Sequence, residues 1–503
     1  MAFHKPPITL IATFLLLSSL QAQDLDKMTA GVQDAAFHSL KEFLSIPNDA
    51  HFPEDLEKNI LWLEEKFGER GFETRRLPTA RIPLLLAEQT YPNATKTLLI
   101  YVQVDGQPVD PNHWFQPHPF QPVLKEKNAE GEWTIIPWDR LSSDFDPEWR
   151  VFARAASDAK GPIIMLLHAL DAMKTAGISP VCNLKIIMDT EEEMGSPNLP
   201  ASVEAHKDIL ASDMLIILDG PRHISNQPTL TFGARGISTI SLQVFGPRVA
   251  QHSGHYGNYA PNPALRLSQL LASMKDEQGK VIIPGFYDGI VLTESVKHIM
   301  AEVPDNESDI RRKVGIAEID AVGNSYQEAI QYPSLNIRGL SSGWVGEEVR
   351  TIVPATATAE IDVRLVPECD PERLIGLIKD HIARQGYHFV SGEPTEEERQ
   401  THSRLISFTY KISYQAYRTP FDSEIGHWLT RALTQAFGTA PVRIRNSGGS
   451  IPISPFINIL GVPAVTVPTV NRDNNQHSPN ENIRLGNFVE GIKTVISVLS
   501  ANL

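Results

Sequence analysis

The chain has 503 residues, a length that corresponds to two or three domains of roughly 100–200 residues each. Its composition, 42% apolar and 21% charged, is that of a globular protein, and the formal net charge of -15 argues against nucleic acid as a partner, because a polyanion requires a basic surface. Cys182 and Cys369 are the two cysteines, which excludes a disulfide scaffold and a Cys-rich zinc finger and leaves one disulfide bond open.

The first predicted element is an export signal. A polar head with His4 and Lys5 precedes an apolar run at residues 8–17, and Ala22 is a small residue at a suitable cleavage position. The run is shorter than the ~20 residues of a membrane span, and no second such run follows. We expect residues 1–22 to be a signal peptide and the mature protein to be secreted or periplasmic, without a membrane span or a lipid anchor.

From residue 24 onward, helices alternate with apolar strands, which predicts an α/β layer fold. Hydrophobic periodicity predicts helices at Glu54–Arg70, Ile163–Ala176, Asn262–Met274, Asp370–Gln385 and Glu424–Phe437. Buried strands are predicted at Thr97–Val104, Asn183–Asp189, Met214–Leu218 and Pro463–Val467. Apolar and polar residues alternate in Ile237–Phe245 and Ala357–Val366, as they do in one-sided antiparallel strands.

This change of pattern predicts two domains. Residues 24–229 and 419–503 would form a catalytic domain with a mainly parallel, mixed sheet flanked by helices, and residues 230–418 an inserted α+β domain. The segment Asp110–Trp149, rich in Pro, Trp and His, is expected to be an irregular excursion close to a site.

Polar side chains that could bind a metal follow the predicted strands. Ligands gather outside the carboxyl ends of strands in an open α/β sheet, and these ends are followed by Gln103, Asp105, Glu191–Glu193, Asp219 and His477, with Asp158 just before a helix. Crowded carboxylates repel one another, and two divalent cations that share one carboxylate would compensate them. Imidazole and carboxylate ligands suit zinc, with manganese or cobalt as alternatives.

Each of these residues also has a simpler interpretation. The run Glu191–Glu193 could be a solvated helix start, Asp158 an N-cap, Asp219 part of a turn and His477 a surface or core histidine. Their occurrence together at successive strand ends favours the metal site.

Nine stretches occur in an order typical of one protein family: LIYVQVDGQPV, FARAASDAKGPI, DTEEEMGSPNL, LIILDGP, PTLTFGARG, QHSGHYGNYAPNP, RTIVPATATAEIDVRLVP, RNSGGSIPI and QHSPNE. In them the chain resembles the zinc-dependent amidohydrolases that include carnosine dipeptidases, aminoacylases and glutamate carboxypeptidases, most of all the carnosine-dipeptidase branch. The resemblance covers about Glu54 to Lys493. It implies a di-zinc metallopeptidase with a zinc-peptidase-like catalytic domain, an inserted ferredoxin-like lid or dimerisation domain, and a homodimer.

The resemblance also implies a role for individual residues. The metal ligands would be Asp158 as the bridging carboxylate, Glu193, His477, Asp219 and Gln103. Glu192 would be the general base, Asp105 a supporting carboxylate, and His252 a residue that reaches the active site of the partner subunit and stabilises an oxyanion. Arg364 and Thr351 would hold the substrate carboxylate, and Gly449 and Ser450 would contact the substrate. Alternatively, Arg364 could pair with Asp362 or Glu360.

The chain departs from the family pattern at the first metal ligand and, in smaller ways, at positions beside the bridging ligand. Gln103 stands where the family has a histidine ligand, Ala153 and Ala155 stand where it usually has glycines, and Ala159 stands where it has Asp or Asn. Gln103 could still bind a metal through its oxygen while its NH2 group donates to Asp105. We therefore expect this metal site to be weaker, or to favour a harder ion than zinc.

The main hypothesis is an exported metal-dependent hydrolase that cleaves the amide bond of a dipeptide or N-acyl amino acid. A catalytically silent binding protein with one degraded metal site is the alternative, and Gln103 is its only support. A serine-nucleophile loop at Asn446–Gly449 is a weaker third hypothesis, because no Gly-x-Ser-x-Gly elbow is present. The absence of His-Glu-x-x-His excludes single-zinc proteases of that type.

Overall fold

The structure is a computed structural model that describes residues 24–503. The predicted signal peptide at residues 1–22 lies outside the described residues. The helices are α1 (24–30), α2 (Gln33–Leu44), α3 (Pro53–Gly68), α4 (Arg140–Ser143), α5 (Lys160–Thr175), α6 (Leu199–Ala205), α7 (Lys207–Leu210), α8 (Ser253–Tyr256), α9 (Pro263–Ala272), α10 (Glu294–Ala301), α11 (Glu307–Val314), α12 (Tyr326–Ala329), α13 (Pro371–Arg384), α14 (Glu396–Thr401), α15 (Glu424–Phe437), α16 (Ser454–Leu460) and α17 (Leu485–Ser500).

The strands are β1 (Glu73–Leu77), β2 (Leu84–Gln89), β3 (Thr97–Gln103), β4 (Val123–Lys127), β5 (Trp133–Ile136), β6 (Arg150–Phe152), β7 (Asn183–Asp189), β8 (Met214–Ile217), β9 (Thr229–Thr231), β10 (Gly233–Ala234), β11 (Gly236–Phe245), β12 (Gln251–His252), β13 (Ser334–Ser341), β14 (Ile352–Val353), β15 (Thr356–Leu365), β16 (His388–Val390), β17 (Leu405–Tyr414), β18 (Tyr417–Arg418), β19 (Val442–Ile444), β20 (Ala464–Thr466) and β21 (Asn482–Arg484).

The chain divides into two compact units. The first contains the residues up to Gly233 together with Thr419–Arg445 and Pro455–Leu503, and the second contains Ala234–Arg418 and Asn446–Ser454. The sequence had assigned all of 419–503 to the catalytic domain. Residues 446–454 belong to the second unit because Ser447 pairs with the backbone of Ala234 and the Asn446 amide donates to Gln331 at 3.0 Å.

The first unit is built on a mixed sheet that, in the described part of the chain, has eight strands in the order β1-β2-β7-β3-β8-β20-β9-β19. Strands β7, β3, β8 and β20 are parallel neighbours, and β2 and β9 pair antiparallel on either side of them. From β3 the chain returns as β7 on one side and then crosses to β8 on the other. The carboxyl end of β3 is therefore a topological switch point, where α/β sheets bind ligands. The predicted fold class is confirmed.

Helices α2, α3, α5, α15 and α17 contribute to one apolar core with this sheet. Helix α3 shows how the sequence sets an element. Pro53 occupies its first turn, acidic residues follow there, and Leu56, Ile60, Leu63 and Phe67 form its buried face.

A smaller antiparallel sheet, in the order β21-β6-β4-β5, completes the first unit. It corrects the prediction for Asp110–Trp149, because this segment contains β4 and β5 instead of being irregular throughout. Val123 and Leu124 are buried in β4, and the rings of Trp133 and Phe152 meet edge to face with centroids 5.2 Å apart. Prolines lie before β4 and after β5, so the sequence pattern does not indicate this short hairpin.

The second unit has a five-stranded sheet in the order β13-β15-β11-β17-β16 within the residues that the structure describes. Every second residue of β11 from Gly236 to Val244 is buried, as its alternating sequence predicts. The core of this unit includes α9 and α13, and α13 is capped by Asp370, which accepts from the backbone N–H of Arg373.

The two cysteines are unpaired and buried, Cys182 in the first unit and Cys369 in the second. Among residues 24–503, no helix is both long enough and apolar enough to cross a bilayer.

Candidate metal centre

The predicted site residues of the first unit converge at the switch point of its sheet. Strand β3 ends at Gln103, between β7, which ends at Asp189, and β8, which ends at Ile217. The loops that leave these ends carry Asp105, Glu192, Glu193 and Asp219. Parallel strands end at the same edge, so residues that are more than 100 positions apart become neighbours.

Asp158, Glu193 and His477 form the centre of this cluster. Each offers one ligand atom, and the three atoms lie within 4.8 Å of one another. Within residues 24–503, no other group of three or more His, Cys, Asp or Glu side chains brings its ligand atoms this close together. His477 Nε2 lies 3.0 Å from Asp158 Oδ2 and 3.4 Å from Glu193 Oε2. Asp158 and Glu193 are nearly inaccessible, whereas about half of the His477 side chain, 54%, is exposed.

Burial and mutual repulsion shift the pKa values of the cluster. Burial first, and then the charge of Asp158, raises the pKa of Glu193 to about 8 and that of Asp219 to about 7. The hydrogen bond to Asp158 raises the pKa of His477 to about 9. Burial, followed by the charges of Asp219 and Glu193, raises the pKa of Glu192 well above its usual value. All four shifts favour the protonated forms of these groups.

Three glutamine amides surround the same carboxylates. Gln103 Nε2 donates to Asp158 Oδ1 at 2.7 Å, Gln107 Nε2 donates to Glu193 Oε2 at 2.6 Å, and Gln476 Nε2 donates to Asp158 Oδ2 at 3.3 Å. Carboxylate oxygens accept hydrogen bonds, so the amide nitrogens must face them.

The structure corrects the orientation that we predicted for Gln103. Its NH2 group donates to Asp158 and not to Asp105, because both oxygens of Asp105 already accept backbone N–H groups, from Glu192 and Glu193, each at 3.0 Å. Asp105 is fully buried. Its contacts show a carboxylate that fixes the backbone of the loop carrying Glu192 and Glu193.

Two further carboxylates hold this loop. Asp189 accepts from Ser196 Oγ at 2.6 Å and from the backbone N–H of Glu191 at 3.1 Å. Glu191 itself pairs with Arg81 at 2.9 Å. Residues Glu192–Met194 form one 3-10 turn, so the acidic run is not the start of an α-helix.

Asp158 is not an N-cap, the simpler interpretation of its position. The N-cap residue of α5 is Ala159, without a capping side chain. Instead, backbone N–H groups of the loop that carries Asp158 donate to the buried carboxylate of Glu481. Ala155 in this loop has φ = 62°, a left-handed conformation that explains why the family usually has glycine there.

His477 is presented by a loop with three left-handed residues that are not glycine. The φ angles of Asn475, His477 and Asn480 are 56°, 59° and 62°. Such conformations are costly, and they concentrate at functional sites.

His252 and Thr351 lie together in the second unit. Strands β12 and β14 pair so that His252 faces Ile352, and the backbone N–H of Ser253 donates to the carbonyl of Thr351. The exposed His252 ring accepts from the backbone N–H of Gly254 at 3.0 Å, which caps α8.

The other predicted substrate-binding residues form a second group in this unit. Arg364 donates to Ser450 Oγ at 3.0 Å, and Gly449 donates its N–H to Ser447 Oγ at 3.2 Å. Arg364 also pairs with Asp362 at 3.5 Å, as the alternative interpretation suggested. Its side chain is 30% exposed and therefore accessible to a ligand.

Sequence reasoning assigned no role to Glu481, Gln107 or Gln476. All three lie within stretches on which the resemblance rests, so their positions beside predicted ligands were visible. Their contacts, however, depend on strand pairing and loop conformation, which composition and periodicity do not reveal.

The residues present fit a divalent cation. Two carboxylate oxygens and one imidazole nitrogen are the donor types that bind zinc, and three protein ligands leave a position for water. The raised pKa values of Glu193 and His477 are also consistent with a cation site, because a bound cation would balance the negative charge of the carboxylates in place of protons.

Comparison with known sequences identifies the class of protein. The profile of peptidase family M20/M25/M40 matches residues 99–501, which is most of the chain. The chain belongs to this family and is a metallopeptidase; the family is one of dinuclear metal-binding peptidases. This confirms the resemblance inferred from the nine stretches and leaves the silent binding protein and the serine-nucleophile loop without support.

Among individual proteins, the chain is similar to two dipeptidases. It is 27% identical to the Cys-Gly metallodipeptidase of Schizosaccharomyces pombe, covering 82% of this chain and 81% of that protein. It is 25% identical to the human Beta-Ala-His dipeptidase, covering 92% and 89%. Its structure is similar to that of a metallo-carboxypeptidase of the family from Sulfolobus solfataricus, with a TM-score of 0.74, 27% identity and coverage of 92% and 98%.

Proposed function

We propose that this metallopeptidase hydrolyses dipeptides with zinc held by Asp158, Glu193 and His477. The observation that carries the proposal is the meeting of these three ligand atoms within 4.8 Å at the switch point of the sheet. The choice of dipeptides as the substrate class follows from the similarity to a Cys-Gly dipeptidase and a Beta-Ala-His dipeptidase. An N-acyl amino acid, which presents the same amide and carboxylate, is the second substrate to test.

Gln103 and Asp219 would serve a second, weaker metal position. Asp219 lies close enough to Asp158 for that charge to raise its pKa, and the Gln103 amide faces the other oxygen of Asp158. A neutral amide is a weaker and harder ligand than imidazole, so manganese or cobalt could replace zinc there. When bound, the cation supplies an activated water and polarises the scissile carbonyl.

Glu192 would move the protons. Its backbone is fixed by Asp105, and none of the described residues donates a hydrogen bond to its carboxylate, which leaves both oxygens available. In this role, the Glu192 carboxylate takes a proton from the attacking water and later donates that proton to the leaving nitrogen. In the second unit, Arg364 would bind the substrate carboxylate with Ser450, Gly449 and Thr351 as further contacts, and His252 would stabilise the oxyanion in a partner subunit of a homodimer.

We also propose that the enzyme is exported, with residues 1–22 as a cleaved signal. The support is their sequence pattern: a basic head, a short apolar run and a small residue at the end.

The central experiment pairs two adjacent variants. Glu192→Gln should lower kcat on Cys-Gly and β-Ala-His by about 10²–10⁴-fold, because it removes the base, and should keep the wild-type zinc content. Glu193→Gln should lose both zinc and activity. Zinc is measured by mass spectrometry of the purified protein and hydrolysis by amine release. Wild-type turnover by Glu192→Gln, or no hydrolysis of either peptide by the zinc-loaded wild type, would contradict the proposal.

A further inference from the structure

Glu481 is a carboxylate with no access to solvent, yet it is saturated with hydrogen bonds. Its Oε2 accepts from Arg154 Nη1 at 2.7 Å and from the N–H of Ala155 at 2.9 Å. Its Oε1 accepts from the N–H groups of Ser157 and Asp158, at 2.9 and 3.0 Å. The charge of Arg154, itself 3% exposed, offsets part of the cost of burying this anion, and burial still raises the pKa of Glu481.

The four donors belong to one short stretch, Arg154–Asp158, which is the loop that carries the central metal ligand. Three of them are backbone groups, so Glu481 fixes the path of the loop itself. The loop needs such an anchor because Ala155 has a left-handed conformation, which an alanine does not adopt readily. The last donor is the N–H of Asp158.

Strand pairing brings Glu481 to this loop. It directly precedes β21, whose first residue, Asn482, pairs with Phe152 at the end of β6. The N–H of Ala153 donates to the Glu481 carbonyl, and Ser157 Oγ donates to the Asn482 carbonyl at 2.8 Å. The same segment carries His477 four residues earlier. One stretch of chain thus supplies one metal ligand and the anchor of another.

We infer that Glu481, paired with Arg154, is a positioning residue that sets Asp158 and His477 at their mutual distance for metal binding. The inference rests on the proposed zinc function. Glu481 accepts no hydrogen bond from the side chain of Asp158 or His477; it holds the Asp158 loop by its backbone N–H groups, and its charge also acts on His477. Partners of this kind, one step removed from the metal, typically contribute 10–100-fold to metal affinity.

Glu481→Gln tests the inference with little change in shape. One of its two polar atoms becomes an NH2 group that faces two N–H donors, so two hydrogen bonds are lost. We expect the zinc Kd, measured by competition with a chelating dye below the melting temperature, to rise about 10–100-fold. The absorption spectrum of the cobalt-loaded protein should also change, since the ligand geometry changes. Saturating zinc should restore part of kcat.

Asp171→Asn is the matched control, because it removes a partly buried ion pair, Arg70–Asp171 at 2.5 Å, from α5 of the same unit. It should lower the melting temperature but leave the zinc Kd within about twofold. If Glu481→Gln does not fold, Arg154→Lys is measured in its place, and its zinc Kd is expected to rise about 3–10-fold. A wild-type zinc Kd in the folded variant overturns the inference. Absence of zinc binding and hydrolysis in the wild type would instead overturn the proposed function.

Discussion

The two sides of Asp158 differ in what faces each carboxylate oxygen. On one side, which we call the His477 side, Oδ2 meets the His477 imidazole at 3.0 Å, and Glu193 lies next to that ring. On the other, the Gln103 side, Oδ1 accepts the amide N–H of Gln103 at 2.7 Å. The first side offers three ligand atoms to a cation, beside an amide donor from Gln476 at 3.3 Å, whereas Gln103 presents only a hydrogen-bond donor to the second.

The comparison shows that a carboxylate can be compensated in two chemically different ways. An amide N–H stabilises Asp158 without bringing a Lewis acid, while an imidazole and a second carboxylate attract one. The His477 side also has an amide donor, Gln476, so the two sides differ in the imidazole and the second carboxylate that only the His477 side supplies. In the proposed assignment, the His477 side would therefore be the tighter of the two metal positions.

The largest expected effect is in the number of zinc ions. Titrated at limiting zinc, the wild type should bind one equivalent tightly and a second weakly, because the Gln103 side lacks an imidazole. Gln103→His should bind the second equivalent at least about 10-fold more tightly, and Gln103→Asn, which keeps an amide at the same position, should not. Calorimetry with mass-spectrometric zinc analysis measures both. Two tightly held zinc ions in the wild type would contradict the expected difference in affinity between the His477 side and the Gln103 side.

The pH dependence of stability sharpens the comparison. In the metal-free protein the pKa of His477 rises from 6.5 to about 9, that of Glu193 from 4.5 to about 8, and that of Asp219 from 3.8 to about 7. All three groups bind protons more tightly when folded, so their contribution is present at low pH and is lost as the pH rises through these values.

We therefore expect the melting temperature of the chelator-treated protein to fall between pH 6.5 and 9, the ordinary and the raised pKa of His477. The zinc-loaded protein should not show this fall, because the cation replaces the protons. Differential scanning fluorimetry at constant ionic strength measures both, and His477→Gln, which removes one titrating group, should flatten the metal-free curve. A metal-free melting temperature that stays level or rises over this range would contradict the prediction.

The smallest effect concerns the loop of Asp158, which both sides share. Ala155→Gly should stabilise the metal-free protein by about 1 kcal/mol, because φ = 62° suits glycine. Ala153→Gly, two residues earlier and without a positive φ, should destabilise it by about 0.5–1 kcal/mol. Urea unfolding gives both free energies. Equal destabilisation by the two glycines would show that the loop is not strained at Ala155.

Several of the longer elements could be predicted from the sequence because burial imposes a regular pattern, although α2, α17, β13 and β17 were not. Asn183–Asp189 and Glu424–Phe437 have the predicted bounds, and the bounds of α3, β3 and β11 differ from those predicted by at most two residues. The hairpin β4–β5 was missed because its strands are short and lie between prolines and aromatic residues. The excursion of 446–454 into the second unit was missed because a short return of the chain leaves no periodic signal.

The site was predictable in its ligand types but not in its supporting contacts. Strand ends mark Glu193 and Asp219, since topology determines where strand ends meet, and Asp158 is marked by its place just before a helix. The orientation of the Gln103 amide depends on which oxygens are free, and Asp105 gives both of its oxygens to backbone N–H groups. Such competition between acceptors becomes visible only when the loops are folded.

The order of the segments in the first unit has a consequence for biosynthesis. Six of the eight strands described for its sheet lie before residue 232, but β19, β20, His477, Glu481 and the long buried helix α17 all lie after residue 441. Asp158 and Glu193 are therefore translated long before His477, and before Glu481, which accepts hydrogen bonds from the loop of Asp158. The proposed metal site would thus be complete only once residues 477–481 have been translated.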